Sequence, residues 1–387
     1  MAVYYVLLIG LTALGIPLCK KWNLSGGFSE RRIANSTEKQ SKTLVKIYIF
    51  IVFSALFLVA ALRETSGYDY NLYANWYVQI YYRDYDYLMG WSREKGFLIP
   101  VKILTLLTTH WHPMFVVIAL IIAAGIAVYI YKFSSCAYIS VAAFICIGLY
   151  YNSLNFMRQF IAAIIISFAL NYIDTKQPMR FLVLVLFASC FHFSALIMIP
   201  FYFLLRIRPN WIVFGVFAAA SAVSYIYSIP ILLFFTKYIY SAYDPLNNYH
   251  RINGLSARYA IIFGTLFILI FLFRKALMRK RSLNKILINM YFYAIYFSVI
   301  GIKHSVVSRF ALLFIIAPVI VLTPDLIQVI IEKIKKKCGK ETLGDESRGR
   351  IFSALVITAF CIYGLTVNTI LLINNYNGVV PYQLILK

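Results

Sequence analysis

Long apolar segments recur along almost the whole of this chain and constrain its fold more than any other feature. They run from Ala2 to Ile373, and hydrophobic residues make up 62% of the 387 residues while charged residues make up only 13%. A soluble domain has too small a core to bury so much apolar surface, whereas about 20 apolar residues in a helix cross a bilayer core of about 30 Å. The sequence therefore predicts an integral membrane protein.

The apolar segments have the pattern of helices and not of strands. A membrane-spanning strand alternates apolar and polar residues over about 10 positions, and no such alternation recurs here. Only helices and closed barrels satisfy their backbone groups inside a bilayer. The predicted fold class is therefore an all-α, polytopic bundle of transmembrane helices that forms one integral membrane domain over residues 1–387.

The number of spans depends on one apolar stretch, Phe181–Leu205, which is either a single span or a re-entrant helical hairpin turning near Cys190–His192. Arg206 and Arg208 favour the hairpin, and a single span would require Ile229–Tyr243 to cross as well. The prediction is therefore twelve spans, or ten plus a re-entrant hairpin. The ten remaining predicted spans are Val3–Leu18, Val45–Leu62, Pro113–Tyr131, Cys136–Tyr150, Arg158–Ile173, Trp211–Tyr227, Tyr259–Phe273, Ile286–Ile302, Phe310–Ile331 and Ile351–Ile373.

Basic residues concentrate in three loops, Lys20–Lys46, Arg274–Lys285 and Lys333–Arg350. The positive-inside rule assigns these loops to the cytoplasm. Segment 63–112 is then extracytoplasmic, and its many tyrosines suit interfacial helices or stacking on sugars. Because these loops explain most of the net charge of +23, no nucleic-acid partner is predicted.

Two cations stand at the predicted outer ends of apolar spans. Arg158, followed by Gln159, opens one span, where it either snorkels to the headgroups or lines a patch for a ligand phosphate or sugar. Arg309 opens another span directly after Lys303 and His304, and this outer cluster runs against the positive-inside preference. Such a cluster indicates phosphate recognition.

The outer loop before the span Tyr259–Phe273 holds further candidates for binding a diphosphate. They are Lys237, Tyr243, Arg251 and Arg258, and ordinary solvation of a loop is the alternative interpretation.

Three residues are candidates for a general base. His192 has an ordinary pKa near neutrality, although a hydrogen-bonded structural histidine explains it equally well. Asp69 and Glu94 are outer carboxylates that either act as bases or form local ion pairs. No nucleotide-binding motif and no metal-ligand spacing is present, so no cofactor and no metal site is predicted, and a requirement for a divalent ion stays open.

Five short segments follow one another along the chain: Asp69-Tyr70-Asn71-Leu72-Tyr73, Glu94-Lys95-Gly96-Phe97, Arg158-Gln159-Phe160-Ile161-Ala162, Phe191-His192-Phe193-Ser194-Ala195 and Ser308-Arg309-Phe310. In this order they resemble the EpsG family of Wzy-type exopolysaccharide and O-antigen polymerases, with one departure: Lys95 stands where the family pattern Glu-Pro-Gly has proline.

The resemblance implies transfer of a glycan from an undecaprenyl-diphosphate carrier onto a lipid-linked repeat unit, at the outer face of the bacterial cytoplasmic (inner) membrane. The implied partners are undecaprenyl-diphosphate-linked oligosaccharides, membrane lipids, a chain-length regulator and a flippase. His192, Asp69 and Glu94 would be catalytic. The residues that would bind substrate are Arg158, Gln159, Arg258, Arg309, His304, Tyr73, Lys237 and Tyr243.

Two other functions use similar residues. A flippase or transporter of lipid-linked glycans also needs outer and midplane cations, but it should show repeats or interrupted helices in matched halves. A membrane acyltransferase can use a histidine as base, but it needs access to a cytoplasmic acyl donor.

Overall fold

Helices form nearly all the regular structure in the computed structural model, which describes residues 1–19, 36–91, 93–231, 254–338 and 345–385. No strand occurs in these ranges apart from one isolated bridge between Arg63 and Leu384. The predicted all-α class is confirmed. The α-helices are α1 (Ala2–Cys19), α2 (Ser36–Ala61), α3 (Tyr70–Tyr82), α4 (Tyr85–Trp91), α5 (Lys95–Leu107), α6 (His112–Phe133), α7 (Ala137–Cys146), α8 (Leu149–Asn155), α9 (Met157–Asp174), α10 (Pro178–Phe191), α11 (Met198–Leu204), α12 (Trp211–Ile226), α13 (Gly254–Leu272), α14 (Arg274–Lys280), α15 (Leu283–Ile300), α16 (Ser305–Cys338) and α17 (Asp345–Ile373).

Within the described ranges, six to eight candidate spans are present, fewer than the ten or twelve that the sequence predicts. Two pairs qualify only when joined across a bend, which is 58° between α7 and α8 and 73° between α13 and α14. Two further apolar stretches are shorter than 18 residues: Ala2–Gly15, which is the part of α1 whose side chains are described, and α12 (Trp211–Ile226). The six helices that are long and apolar enough alone are Lys42–Ala61, His112–Phe133, Met157–Asp174, Leu283–Ile300, Val307–Ile334 and Ile351–Ile373.

The stretch from Phe181 to Leu205 is a helical hairpin. The helix α10 ends at Phe191, a 3₁₀ turn covers Phe193–Ile197, and α11 runs back. The ring centroids of Phe181 and Tyr202 are 5.4 Å apart, whereas a continuous helix would separate these residues by about 30 Å. The single-span alternative is therefore wrong for this stretch, and His192 lies at the turn of the hairpin.

The helix α16 runs through the centre of the bundle. In an apolar stretch of 18 residues within Val307–Ile334, 94% of the residues are buried, as expected for a helix that is apolar all round. Pro324 lacks an N–H, so the carbonyl of Ile320 has no helical partner. The hydroxyl of Ser140 on α7 donates to that carbonyl at 2.6 Å, so the proline is accommodated without an unsatisfied group.

A buried carboxylate fixes one end of the bundle, which we call the basic end because it carries α14 and the start of α15. Asp325 of α16 is fully buried and accepts a hydrogen bond of 2.9 Å from Asn284. Its oxygens lie 3.8 Å from Nζ of Lys280 and 3.7 Å from Nε of Arg281. A buried charge needs such partners, and this one fastens α14 and α15 to the central helix.

The opposite end, which we call the site end, is closed by the residues after α17. The N–H of Glu64 donates to the carbonyl of Gln383 at 2.8 Å, and the N–H of Gly67 donates to that of Gly378 at 2.9 Å. Asn155, at the end of α8, donates to the carbonyl of Asn377 at 2.6 Å. The turn that leads into α3 is therefore held between α8 and the C-terminal segment.

Candidate functional site

Three separate parts of the fold bring a carboxylate, a guanidinium and an imidazole together at the site end. Glu94 directly precedes α5, Arg158 is in the first turn of α9, and His192 is at the hairpin turn. Glu94 Oε2 forms an ion pair with Nη1 of Arg158, and Oε1 lies 2.8 Å from Nδ1 of His192. The backbone N–H of Phe193 also donates to Oε1, at 3.1 Å.

The Glu94 carboxylate is stabilised in its charged form. Burial raises its pKa, but the adjacent His192, the positive charge of Arg158 and the Phe193 N–H together outweigh burial and lower the pKa. Glu94 is therefore ionised at neutral pH. Both of its oxygens are engaged by neighbouring groups, an arrangement that orients those groups, and its predicted catalytic role stays a prediction.

Aromatic rings surround the guanidinium of Arg158. Its central carbon lies 4.3 Å from the ring centroid of Trp76, 5.4 Å from that of Phe97 and 5.8 Å from that of Tyr73. Trp76 and Tyr73 come from α3, one helical turn apart. A planar guanidinium can stack on aromatic faces, which a lysine ammonium cannot, so this cage fixes the plane of the guanidinium while 20% of its side chain stays exposed.

Gly96 permits the close approach that builds the cluster. A Cβ atom at this position would lie 3.0 Å from the backbone carbonyl group of Cys190, at the end of α10. The preceding residue, Lys95, departs from the family pattern, and its ammonium group donates to the carbonyls of Leu88 and Met89 at the end of α4. In this chain, Lys95 thus ties α4 to the start of α5 where the pattern has a rigid proline.

Asp69 and Arg309 lie beside this cluster. Burial raises the pKa of the Asp69 carboxyl, and the charges of Arg309 and Arg158 offset only part of that rise. The N–H of Asp69 donates to the side-chain oxygen of Asn155 at 3.1 Å. Arg309 has an exposed side chain whose guanidinium carbon lies 5.3 Å from the ring centroid of Phe156.

Gln159 lies next to Arg158 and is buried. Its amide group donates to the backbone carbonyl of Arg309 at 2.5 Å, which joins the start of α9 to the start of α16. Gln159 therefore contacts the backbone at Arg309, and its predicted role in binding substrate stays a prediction.

The predicted cluster of Lys303, His304 and Arg309 does not form one cationic surface. The ammonium group of Lys303 donates to the carbonyl of Tyr225 at 2.9 Å and lies over the Tyr225 ring, at the end of α12. His304 is 4% exposed, so of these three residues only Arg309 presents an exposed side chain.

Other predicted site residues fall where the structure gives no side-chain contacts. Arg258 lies on α13, but its side chain is not among those that the structure describes. The residues Lys237, Tyr243 and Arg251 lie outside the described ranges. In the described ranges, no group of three or more His, Cys, Asp or Glu side chains is arranged to hold a metal ion.

The sequence prediction missed two supporting residues. Asn152 accepts hydrogen bonds from Tyr376 at 2.6 Å and Asn377 at 2.9 Å, so it anchors the C-terminal segment. Arg63 is 2% exposed beneath the turn that leads to Asp69, and burial lowers its pKa to about 10, which leaves it charged at neutral pH. Its position directly after an apolar span was the signal that could have identified it, since a cation there needs a structural reason.

Comparison with known proteins places the whole arrangement in one family. No curated protein and no solved structure matches the chain. A family model described as the EpsG family matches residues 46–384, which is nearly the whole chain and includes every residue of the cluster. The resemblance predicted from the sequence is confirmed. The chain therefore belongs to the EpsG family of Wzy-like polymerases, multi-pass membrane proteins of exopolysaccharide biosynthesis.

Proposed function

We propose that this protein transfers a growing glycan from an undecaprenyl-diphosphate-linked donor onto a lipid-linked repeat unit, at the extracytoplasmic face of the bacterial inner membrane. The observation that carries the proposal is the meeting of Glu94, Arg158 and His192 beside Asp69 and Arg309. Membership of a Wzy-like polymerase family gives the reaction class, and these residues supply its chemistry.

Arg309 and Arg158 bind the donor diphosphate. Negative charge builds up on the diphosphate oxygens as the bond from the sugar to the diphosphate breaks, and fixed cations stabilise that charge. Arg309 is exposed, and Arg158 is held in plane by its aromatic cage and by Glu94. The diphosphate departs as a stabilised anion, so this reaction needs no carboxylic acid to protonate the leaving group.

His192 accepts the proton of the acceptor hydroxyl. With Nδ1 turned toward Glu94, the basic nitrogen left for substrate is Nε2. The acceptor oxygen forms the new glycosidic bond as its proton passes to Nε2, and Glu94 stabilises the resulting imidazolium. Asp69 is the alternative base, because its raised pKa makes its carboxylate a stronger proton acceptor.

Exposed aromatic residues around the cluster provide surfaces for sugar rings. Tyr68, Tyr82 and Tyr85 expose between 55% and 76% of their surface on or beside α3 and α4. Stacking and hydrogen bonding from such residues would orient the acceptor. Their position at the end opposite the basic loops supports an extracytoplasmic site, since cytoplasmic loops carry an excess of Lys and Arg.

The test is the glycan made by a deletion host that expresses wild type, Arg158→Ala, His192→Ala or Arg309→Ala at matched membrane levels. We expect long polymer from wild type and accumulation of single lipid-linked units from each variant. Arg180→Ala is the control, because Arg180 is exposed at the start of α10, at the opposite end of this helix from the hairpin turn. This variant should keep normal polymer length. Polymer of normal length from all three site variants would refute the shared site.

The same host tests the transporter alternative. Two observations favour that alternative: the breaks in the α7–α8 pair and in the α13–α14 pair, because interrupted helices are common at transport sites. If the wild-type protein only moves single repeat units across the membrane and links none, the result supports a transporter and refutes the proposed polymerase.

A further inference from the structure

A cationic cleft opens at the basic end, where α14 bends away from α13 by 73°. It encloses about 490 Å³, within the size range of small-ligand sites. Four cations from three parts of the chain line it: Arg208 before α12, Lys275 and Arg279 on α14, and Lys285 on α15.

The other basic residues in this region are engaged by the protein itself. Arg274 donates to the carbonyl of Phe271 at 2.9 Å and stacks on Trp211, with 4.8 Å between the guanidinium carbon and the ring centroid. Lys280 and Arg281 face the buried carboxylate of Asp325. Cytoplasmic topology alone requires basic residues, but it does not require them to divide into a set that the protein itself engages and a set that converges on one cleft.

The charges of the cleft are unbalanced. Within the described part of the chain, no hydrogen bond or ion pair engages the charged groups of Arg208, Lys275, Arg279 or Lys285. The one carboxylate in the lining, Asp174, accepts a hydrogen bond of 2.6 Å from Ser282. Four positive charges therefore face one negative charge, and their mutual repulsion favours an anion that bridges them.

We propose that this cleft binds a phosphate group, independently of the polymerase site at the other end of the bundle. Two guanidinium groups match the paired oxygens of phosphate, and the two ammonium groups add positive charge. The phosphate has two sources: the headgroup of an anionic phospholipid beside the apolar helix α13, or a soluble phosphate compound. Both use the same cations.

The test uses the full chain in nanodiscs of phosphatidylcholine, with and without phosphatidylglycerol. Native mass spectrometry measures retained phosphatidylglycerol, and calorimetry measures binding of inorganic pyrophosphate. Arg279→Gln/Lys285→Gln is compared with Lys176→Gln/Arg180→Gln, which removes the same charge from exposed residues outside the cleft lining. We expect the cleft variant to weaken binding by about tenfold or more and the control to change it by less than about twofold.

Each outcome decides a point. Retention of phosphatidylglycerol without pyrophosphate binding identifies the lipid headgroup, and pyrophosphate binding in phosphatidylcholine alone identifies a soluble ligand. Equal losses in the cleft variant and the control would mean that general surface charge is responsible, and that result, like the absence of binding to wild type, overturns the proposal. Unchanged unfolding temperatures of both variants exclude misfolding as the cause.

Discussion

Nδ1 of His192 lies 2.8 Å from Oε1 of Glu94, although six α-helices, α5 to α10, separate the two residues in the sequence. The same carboxylate holds Arg158 through its other oxygen. One acidic side chain thus orients both the proposed base, His192, and one of the arginines proposed to bind the diphosphate, Arg158. We therefore expect loss of this carboxylate to disturb both groups at once.

Glu94→Gln should abolish most polymer formation while keeping the shape of the side chain. Arg158 loses its counter-ion and His192 loses the group that orients it, and we expect at least a hundredfold loss of polymerisation. Because the pair is partly exposed, the loss of stability should be only about 1–2 kcal/mol. Polymer yield and thermal unfolding measure the two effects, with Glu64→Gln at the same end as control.

The Glu94 pair also predicts a pH dependence of stability. The pKa of the Glu94 carboxyl is lower in the folded protein than the ordinary value of 4.5. The contribution of this group to stability is therefore present above that value and is lost as pH falls through the folded pKa. Unfolding temperatures of wild type should therefore drop more steeply on acidification below about pH 4.5 than those of Glu94→Gln. Parallel curves would show that the charge of Glu94 contributes nothing to stability.

Asp69→Asn should separate stability from function. Burial raises the pKa of Asp69 in the folded protein, so ionisation of this group opposes folding, and its contribution to stability falls as pH rises from the ordinary value of 3.8 through the folded pKa. The amide removes this cost. We expect the variant to be at least as stable as wild type at pH 7 but to make about tenfold less polymer.

Thermal unfolding and polymer length are the measurements for Asp69→Asn, and Asp84→Asn, which changes an exposed carboxylate, is the control. A variant that is both less stable and fully active would contradict the assignment of Asp69 to the site.

Gly96→Ala should damage the site because its added methyl clashes with the backbone of Cys190, although the variant removes no functional side chain. The added methyl would lie 3.0 Å from the Cys190 carbonyl group, and a backbone cannot move aside as a flexible side chain can. We expect a cost of about 1–3 kcal/mol and displacement of Glu94 from His192, with loss of polymer. Gly90→Ala is a matched control because nothing lies within 4 Å of the added methyl, so it should be neutral or slightly stabilising.

The predicted orientation places Asp86 outside and Lys176 inside; both side chains are exposed, on α4 and in the turn after α9. In a variant lacking the native cysteines, a membrane-impermeant thiol reagent should label Asp86→Cys in intact cells. It should label Lys176→Cys only after the membrane is opened. The reverse labelling would move the site to the cytoplasm.

The sequence was sufficient for the parts of the structure that depend on short-range pattern. Long apolar segments predicted the helices, and the positive-inside rule placed Glu94 and Arg158 at the same, outer end of the bundle. The hairpin at His192 was one of two alternatives, because Arg206 and Arg208 marked a return to the basic end but did not exclude a crossing.

Long-range packing decided what the sequence could not. Glu94 was predicted either to act as a base or to form a local ion pair, and its partners come from distant parts of the chain, α9 and the hairpin turn. Lys303 was expected to bind phosphate, but the end of α12 offers it the carbonyl and ring of Tyr225. Neither partner leaves a mark in the local sequence, since each depends on which helices become neighbours.

The contacts of the C-terminal segment set an order of assembly. In the turn before α3, the N–H groups of Gly67 and Glu64 donate to the carbonyls of Gly378 and Gln383, residues that the ribosome produces long after Asp69. Nascent chains that already contain Glu94, Arg158, His192 and Arg309 therefore still lack the support that fixes Asp69. Under the proposed function, the site is therefore incomplete until Gly378 and Gln383 have been synthesised.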